Sequence, residues 1–87
     1  MDVLERAFAY VDEHREEYLK DLGEICSFPS TAAHAEALEN TRTWIEKRLE
    51  RAGVSAKRVG GGEGNDMIAA QKNGTKDKTV LFYNHYD

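Results

Sequence analysis

The stretch LERAGVSAKRV, residues 49–59, marks the change from a helical sequence pattern to a strand pattern. Gly53 follows the last apolar position of the helical pattern, and glycine is the residue that most readily adopts the left-handed conformation at a helix end. Residues 54–59 then alternate in the manner of a half-exposed strand. The chain is therefore predicted to be helical before Gly53 and β-structured after it.

Two amphipathic helices are predicted upstream of this junction. The first runs from Asp2 to about Cys26, where apolar residues recur at steps of three and four. Asp2 is expected to cap its first turn together with Glu5, and Phe28-Pro29 to stop it, because proline disfavours helical geometry in the residue before it. Its apolar stripe consists of Leu4, Ala7, Phe8, Val11, Tyr18, Leu19, Leu22 and Ile25.

The second helix is predicted to begin after Ser30 or Thr31, whose hydroxyls can accept hydrogen bonds from free backbone amides, and to end at Ala52. One face is apolar, and the opposite face is charged and is interpreted as solvated. The apolar stripe consists of Ala37, Leu38, Thr41, Trp44, Ile45, Leu49 and Ala52. The charged face consists of Glu39, Arg42, Glu46, Lys47 and Glu50.

Three short strands are predicted after Gly53: Val54–Val59, Asp66–Lys72 and Thr79–Asn84. The last contains the apolar run VLFY without alternation, which is typical of a strand covered on both faces. The connections are short enough for antiparallel hairpins. We therefore expect one α/β domain over residues 1–87, with two amphipathic helices followed by a three-stranded sheet. Its core is expected to contain Phe8, Leu22, Trp44, Leu49, Ile68, Leu81 and Tyr83.

Composition limits the partners and compartments to consider. The chain has 40% hydrophobic residues, 32% charged residues and a net charge of -4, with no continuous basic stripe for a phosphate backbone. No apolar run approaches the roughly 20 residues of a membrane span, and residues 1–10 lack the order of a signal peptide. Cys26 is the only cysteine, so no intrachain disulfide can form. We expect a cytoplasmic protein with no nucleic-acid or membrane partner.

Several polar motifs fit structural roles better than catalytic ones. The glycine run at residues 60–64 lacks the lysine and hydroxyl residue of a phosphate-binding loop and is interpreted as a flexible turn. His34-Ala35-Glu36 lacks the paired cysteines of a zinc deaminase and is interpreted as helix surface. His14 is interpreted as solvent-exposed, and Cys26 as part of the core.

His85-Tyr86-Asp87 is the pattern that points to chemistry. A histidine and a carboxylate stand two residues apart, directly after the predicted covered strand. Side chains at i and i+2 project from the same face of an extended chain, so Asp87 can lie beside the imidazole and orient it. A metal-binding histidine usually needs such an acceptor to fix its tautomer, and active sites gather at the carboxyl ends of strands in α/β sheets. His85 and Asp87 are therefore the candidate site residues.

The whole chain resembles the start of the dizinc metallopeptidase family that includes carnosinase-type dipeptidases, aminoacylase, acetylornithine deacetylase and succinyl-diaminopimelate desuccinylase. CSFPS at residues 26–30 resembles the Pro-Ser turn after the family's first helix. LERAG at 49–53 resembles its helix-to-strand junction, and NDMIA at 65–69 resembles the strand that follows. VLFYNHYD at 80–87 closely resembles the first metal motif, in which a strand runs into His-x-Asp.

The resemblance implies a hydrolase, the start of a zinc-exopeptidase catalytic domain. In such enzymes the histidine at the position of His85 ligates one of two zinc ions, and the aspartate at the position of Asp87 orients that histidine without binding metal. A water held between the zinc ions attacks the amide carbonyl of a small peptide or an N-acyl amino acid. Tyr86 favours the dipeptidase branch of the family.

Only the first metal motif of the family falls within these residues. Its bridging aspartate, glutamate base, remaining zinc ligands and lid domain would lie beyond Asp87, so the chain is interpreted as a truncated amino-terminal fragment. Protein zinc sites normally use three or four protein ligands. We therefore predict that the 87-residue chain alone neither binds zinc stoichiometrically nor hydrolyses a substrate.

Two other interpretations stay open. The chain can be a non-enzymatic α/β interaction module in which the His-x-Asp pattern is incidental, or it can contribute to a mononuclear metal site completed by His34 or His14 of another chain. An unpaired sheet edge and an uncovered apolar face recruit other chains. We accordingly expect a homo-oligomer formed through the exposed sheet edge.

Overall fold

The computed structural model describes residues 2–60 and 66–87, which form a mixed α/β fold. The described elements are, in chain order, α1 (Val3–Glu13), α2 (Arg15–Cys26), α3 (Ala35–Arg51), β1 (Ser55–Val59) and β2 (Met67–Gln71). The predicted order of helices followed by strands is confirmed. None of the helices in these two stretches has the length and apolar character that crossing a bilayer requires.

The predicted first helix is interrupted at His14, so the prediction of one continuous helix is wrong. Asp2 caps α1 as predicted, because its carboxylate accepts from the Glu5 amide at 2.8 Å. His14 lies between α1 and α2 with φ -104° and ψ 13°, outside helical geometry. Its Nδ1–H donates to Tyr10 O at 2.8 Å, and its own backbone amide donates to the same carbonyl at 3.1 Å. This local side-chain bond accompanies the break between the two helices.

The second predicted helix is α3, which begins at Ala35, a few residues later than predicted. Its C-terminal boundary agrees with the prediction, because Gly53 has a φ of +79°. The Val54 amide donates to Leu49 O, and the Gly53 amide donates to Glu50 O, both at 2.9 Å. These two bonds satisfy carbonyls that the end of the helix leaves free and turn the chain into β1.

β1 and β2 pair antiparallel, from Ser55 opposite Gln71 to Val59 opposite Met67. The two predicted strands at these positions are confirmed. The predicted glycine-rich turn between them lies, from Gly61 to Asn65, outside the described residues. On the side of the hairpin that faces α3, Arg58 donates to Glu39 and to Glu46, each at 2.7 Å. The hairpin is therefore fastened to α3 by ion pairs as well as by packing.

The predicted third strand, Thr79–Asn84, is wrong. Residues 79–84 belong to no strand, and the sheet in the described part of the chain has two strands. The side chains from Val80 to Tyr83 are between 75 and 88% exposed. An apolar run of this kind predicts a strand that is covered on both faces, but the described helices and strands do not cover it.

The buried core is much smaller than predicted. Phe8, Leu22, Leu81 and Tyr83 are exposed, and Trp44, Leu49 and Ile68 are only half-buried. The described residues with least exposure lie on the first half of α3 and are Ala37, Leu38, Thr41 and Arg42. Apart from Tyr18 and Ile25, which are half-buried, the apolar stripe predicted for the first helix stays exposed, because α1 packs on α2, its neighbour in sequence, and α3 packs on the two strands.

Polar contacts connect α2 to α3. Asp21 on α2 accepts from Arg48 Nε at 2.6 Å and from Arg51 Nη2 at 3.1 Å. The Trp44 indole N–H donates to Glu24 at 3.0 Å. Charged and polar groups thus link the two helices, and they include the indole of Trp44, a residue predicted in the apolar core.

Candidate functional site

The segment that carries His85 and Asp87 lies over a cavity of about 490 Å³ between the helices and the hairpin. α2, α3 and β2 supply its apolar walls, and the segment itself forms one side. The apolar wall residues include Ile25, Leu38, Ile45, Leu49 and Ile68. The candidate pair therefore borders an apolar cleft.

The structure brings the two predicted site residues together. His85 Nδ1 lies 3.0 Å from Asp87 Oδ1, and the two side chains are 72 and 56% exposed. Because a carboxylate oxygen only accepts, this contact places a proton on Nδ1, and in the neutral ring the lone pair is then on Nε2. The Tyr83 hydroxyl lies 3.4 Å from Nε2, a long and weak contact. Nε2 is therefore the ring atom suited to bind a metal ion.

Tyr86, between the two site residues, is half-buried and bonds on the inner side of the segment. Its hydroxyl donates to Asp66 O at 2.7 Å and accepts from Arg42 Nη1, also at 2.7 Å. The Arg42 Cζ atom lies 5.7 Å from the centre of the Tyr86 ring. Arg42 was predicted on the solvated face of its helix, and that prediction is wrong, because its side chain is only 7% exposed.

Sequence reasoning missed the contact between Arg42 and Tyr86, although one signal for it existed. Arg42 follows Leu38 by four residues and Thr41 by one, and both of those residues belong to the predicted apolar stripe. Helical geometry therefore places Arg42 at the border of the buried face. A charge at that border requires a polar partner, but the pattern does not identify Tyr86, which is 44 residues away.

A network of charged side chains connects Arg42 to β1. Glu39 accepts from Arg42 Nη2 at 3.3 Å and from Arg58 Nη1 at 2.7 Å. The hydrogen bond from Arg58 is the main reason that the pKa of Glu39 lies below its ordinary value. Glu46 contributes most to a raised pKa of Arg58, and the Tyr86 hydroxyl contributes most to a raised pKa of Arg42. Glu39, Arg42 and Arg58 are therefore held in their ionised forms.

The other candidate residues lie apart from the pair. His34 Nδ1 is 2.7 Å from the Thr31 hydroxyl at the start of α3. His14 is half-buried, not solvent-exposed as predicted, and its ring stacks on Tyr10 with centroids 3.9 Å apart. Cys26 was predicted in the core, but it is exposed at the end of α2. No three His, Cys, Asp or Glu side chains in the described stretches come together as a metal site.

The donor set fits one ligand position of a zinc site. A neutral imidazole with its Nδ1 proton held by a carboxylate is a common zinc ligand, and Asp87 is turned toward the imidazole as an acceptor. Zinc needs further ligands to be held tightly, so His85 would be one member of a larger set.

Comparison with known proteins gives no relative for this chain. No protein-family model, no curated protein and no solved structure matches it.

Proposed function

We propose that residues 1–87 are the amino-terminal part of a cytoplasmic, zinc-dependent hydrolase, a metallopeptidase or amidohydrolase that cleaves dipeptides or N-acyl amino acids. The contact of 3.0 Å between His85 Nδ1 and Asp87 Oδ1 carries this proposal. It supports the proposal because it leaves Nε2 of the neutral ring free to bind a metal ion, and VLFYNHYD resembles the first metal motif of dizinc metallopeptidases.

Each residue of the pair has one task in this proposal. His85 supplies a neutral imidazole to one of two zinc ions, and Asp87 keeps the Nδ1 proton in place and raises the basicity of the ring. Zinc, when bound, lowers the pKa of a coordinated water and polarises the carbonyl of the amide substrate. The other ligands and the base that deprotonates the water would come from residues outside 1–87.

The gene sequence after the Asp87 codon is the first test. We expect it to encode an acidic residue that can bridge two metal ions and, further on, a Glu-Glu pair that supplies a base and a ligand. A reading frame that stops soon after Asp87, or that continues without these acidic residues, would contradict the proposal.

Replacing His85 in the complete protein tests the role of the imidazole. His85→Ala should lower the zinc content and reduce dipeptide hydrolysis by more than about 100-fold, because even the loss of a residue that only orients a ligand costs about 10–100-fold. His34→Ala is the matched control, since its ring is bonded to Thr31 and joins no cluster of possible metal ligands among the described residues. Unchanged zinc content and activity in His85→Ala would rule out His85 as a ligand.

The 87-residue chain by itself should neither bind zinc stoichiometrically nor hydrolyse a dipeptide. A single imidazole has too few donor atoms to hold zinc tightly. Calorimetric titration with zinc measures this directly, and one tight zinc ion per chain is the result that would contradict the prediction.

A non-enzymatic interaction module is the second candidate function. The exposed apolar segment from Val80 to Tyr83 favours it, because exposed apolar patches are common at sites that bind other proteins. In this alternative the His85–Asp87 contact has no chemical role. If the complete protein has hydrolytic activity that is lost when His85 is replaced, the enzyme is favoured over the interaction module.

A further inference from the structure

The hydrogen bonds that join the segment 79–87 to the rest of the described fold run through one side chain. Among the described residues it makes no backbone–backbone hydrogen bond. The contacts from Tyr83 to His85 and from His85 to Asp87 lie within the segment. The hydrogen bonds that connect it to the helices and to β2 both involve the Tyr86 hydroxyl.

Tyr86 uses its hydroxyl both as a donor and as an acceptor. It donates to Asp66 O, next to the first residue of β2, and accepts from Arg42 on α3. Both distances are 2.7 Å, which is typical of strong hydrogen bonds to a hydroxyl. The hydroxyl thus fixes the segment to two elements that are far apart in sequence.

Arg42 is itself fixed in position. Its side chain is 7% exposed, and Glu39 accepts hydrogen bonds from both Nε and Nη2 at 3.4 and 3.3 Å. Glu39 is held in turn by Arg58 on β1. Removing the Tyr86 hydroxyl would leave Nη1 of a buried guanidinium without this acceptor, which is costly in a poorly solvated site.

The neighbouring positions of these residues along the chain connect this tether to the candidate site. His85 and Asp87 are exposed, whereas Tyr86 between them is half-buried and bonds to Arg42 and to Asp66. Fixing the Tyr86 ring therefore fixes the direction of the two neighbouring side chains.

We propose that Tyr86 and Arg42 are positioning residues for the His85–Asp87 pair. Their hydrogen bond, together with the bond to Asp66 O, holds the segment so that the carboxylate stays beside the imidazole. The proposal rests on the proposed function insofar as the pair is a zinc ligand and its acceptor, whereas the tether itself can be measured without zinc.

Magnetic resonance on the metal-free 87-residue chain tests the tether. Tyr86→Phe removes one oxygen atom and both hydrogen bonds but keeps the ring. We expect the amides of residues 85–87 to lose their order on the nanosecond timescale, and the His85 ring to change from the Nδ1–H tautomer to a mixture. Tyr83→Phe, which removes the same atom from an exposed ring in the same segment, should keep the amides ordered.

Conservative replacement of the arginine gives a second measurement. Arg42→Lys retains one donor for the Tyr86 hydroxyl, and Arg42→Met retains none, so order at residues 85–87 should be partly kept in the first and lost in the second. Helical circular dichroism, recorded for every variant, shows whether the helices remain folded. Ordered amides and an unchanged tautomer in a folded Tyr86→Phe chain would overturn the tether.

The complete zinc-loaded protein separates this proposal from the proposed function. Tyr86→Phe should weaken zinc affinity about tenfold, in the range expected for the loss of a residue that orients a ligand, and Tyr10→Phe on α1 should not change it. If His85→Ala leaves zinc in place, the proposed function fails. If His85→Ala loses zinc but Tyr86→Phe keeps wild-type affinity, only the positioning role fails.

Discussion

Replacing glycine by alanine is expected to change the stability of the fold in opposite directions at Gly53 and at Gly23. Gly53 has a φ of +79° after α3, a conformation that side chains with a Cβ rarely adopt. The space around it is open enough, since an added Cβ would come no closer than 3.7 Å to Lys72 Nζ. Gly23 lies within α2, and an added Cβ there would meet no atom within 4 Å. Backbone conformation rather than crowding therefore decides the effect of each substitution.

We predict that Gly53→Ala destabilises the fold by about 1 kcal/mol and that Gly23→Ala stabilises it by about 0.5–1 kcal/mol. Urea unfolding followed by the fluorescence of Trp44, the only tryptophan, measures both changes. Each variant is the control for the other, because both add one methyl group. A stabilising Gly53→Ala substitution would show that the left-handed helix end is not needed.

Single residues could be predicted from the sequence where the deciding interaction is local. Asp2, Gly53 and the His85–Asp87 contact depend on partners within a few residues, and the structure places all of them as predicted. Arg42 depends on Tyr86, which is distant in sequence, and its burial was not predicted. Local chemistry predicted the His85–Asp87 contact of the candidate site, and the Arg42–Tyr86 hydrogen bond behind it required the folded chain.

The same distinction applies to secondary-structure elements. β1 and β2 are adjacent along the chain and supply each other with hydrogen-bond partners, so their patterns were sufficient to predict them. Thr79–Asn84 has an equally strong strand pattern, but a strand also needs a neighbouring strand and a cover, and the described elements supply neither. The break at His14 leaves the apolar periodicity intact on both sides, so periodicity did not reveal it.

The ion pairs between α2 and α3 make their packing depend on pH. The hydrogen bond from Arg48, reinforced by Arg51, holds the pKa of Asp21 below its ordinary value. A carboxylate with a lowered pKa in the folded state stabilises the fold above its ordinary pKa of about 4, and this contribution is lost as the pH falls through the folded-state value.

We therefore predict that thermal stability falls as the solution is acidified below about pH 4, and that Asp21→Asn weakens this dependence. Asp21→Asn should also lower the melting temperature at neutral pH, where the carboxylate is ionised. Calorimetric melting curves across the acid range check both expectations. The control is Glu13→Gln, at a site with no ion-pair partner among the described residues. Equal acid sensitivity in the wild type and Asp21→Asn would contradict the prediction.

The whole molecule is elongated, with principal extents of 48 × 32 × 18 Å. Its buried side chains are concentrated on α3, while apolar residues of α1 and of the segment from Val80 to Tyr83 are exposed. A small core gives a small margin of stability, and exposed apolar surface favours association. Both properties point to a chain that is more stable with its apolar surface covered.

We predict that the 87-residue chain self-associates, with Val80–Tyr83 in the contact between copies. Leu81 is 88% exposed, so Leu81→Lys should leave the fold unchanged and shift the equilibrium toward the monomer. Sedimentation equilibrium over a range of concentrations measures the shift. Thr75→Lys adds the same charge in an exposed polar connection and serves as the control. A wild-type chain that remains monomeric at the highest concentration would contradict the prediction.

The ion pairs of Arg58 have a consequence for how the hairpin finds its alignment. Neighbouring residues of a strand face opposite sides, so a shift of β1 by one residue would turn the Arg58 guanidinium away from Glu39 and Glu46 and bring Lys57 or Val59 toward α3. A misaligned hairpin would then leave both carboxylates without this partner. The ion pairs to α3 therefore favour the observed register of the hairpin over a register shifted by one residue.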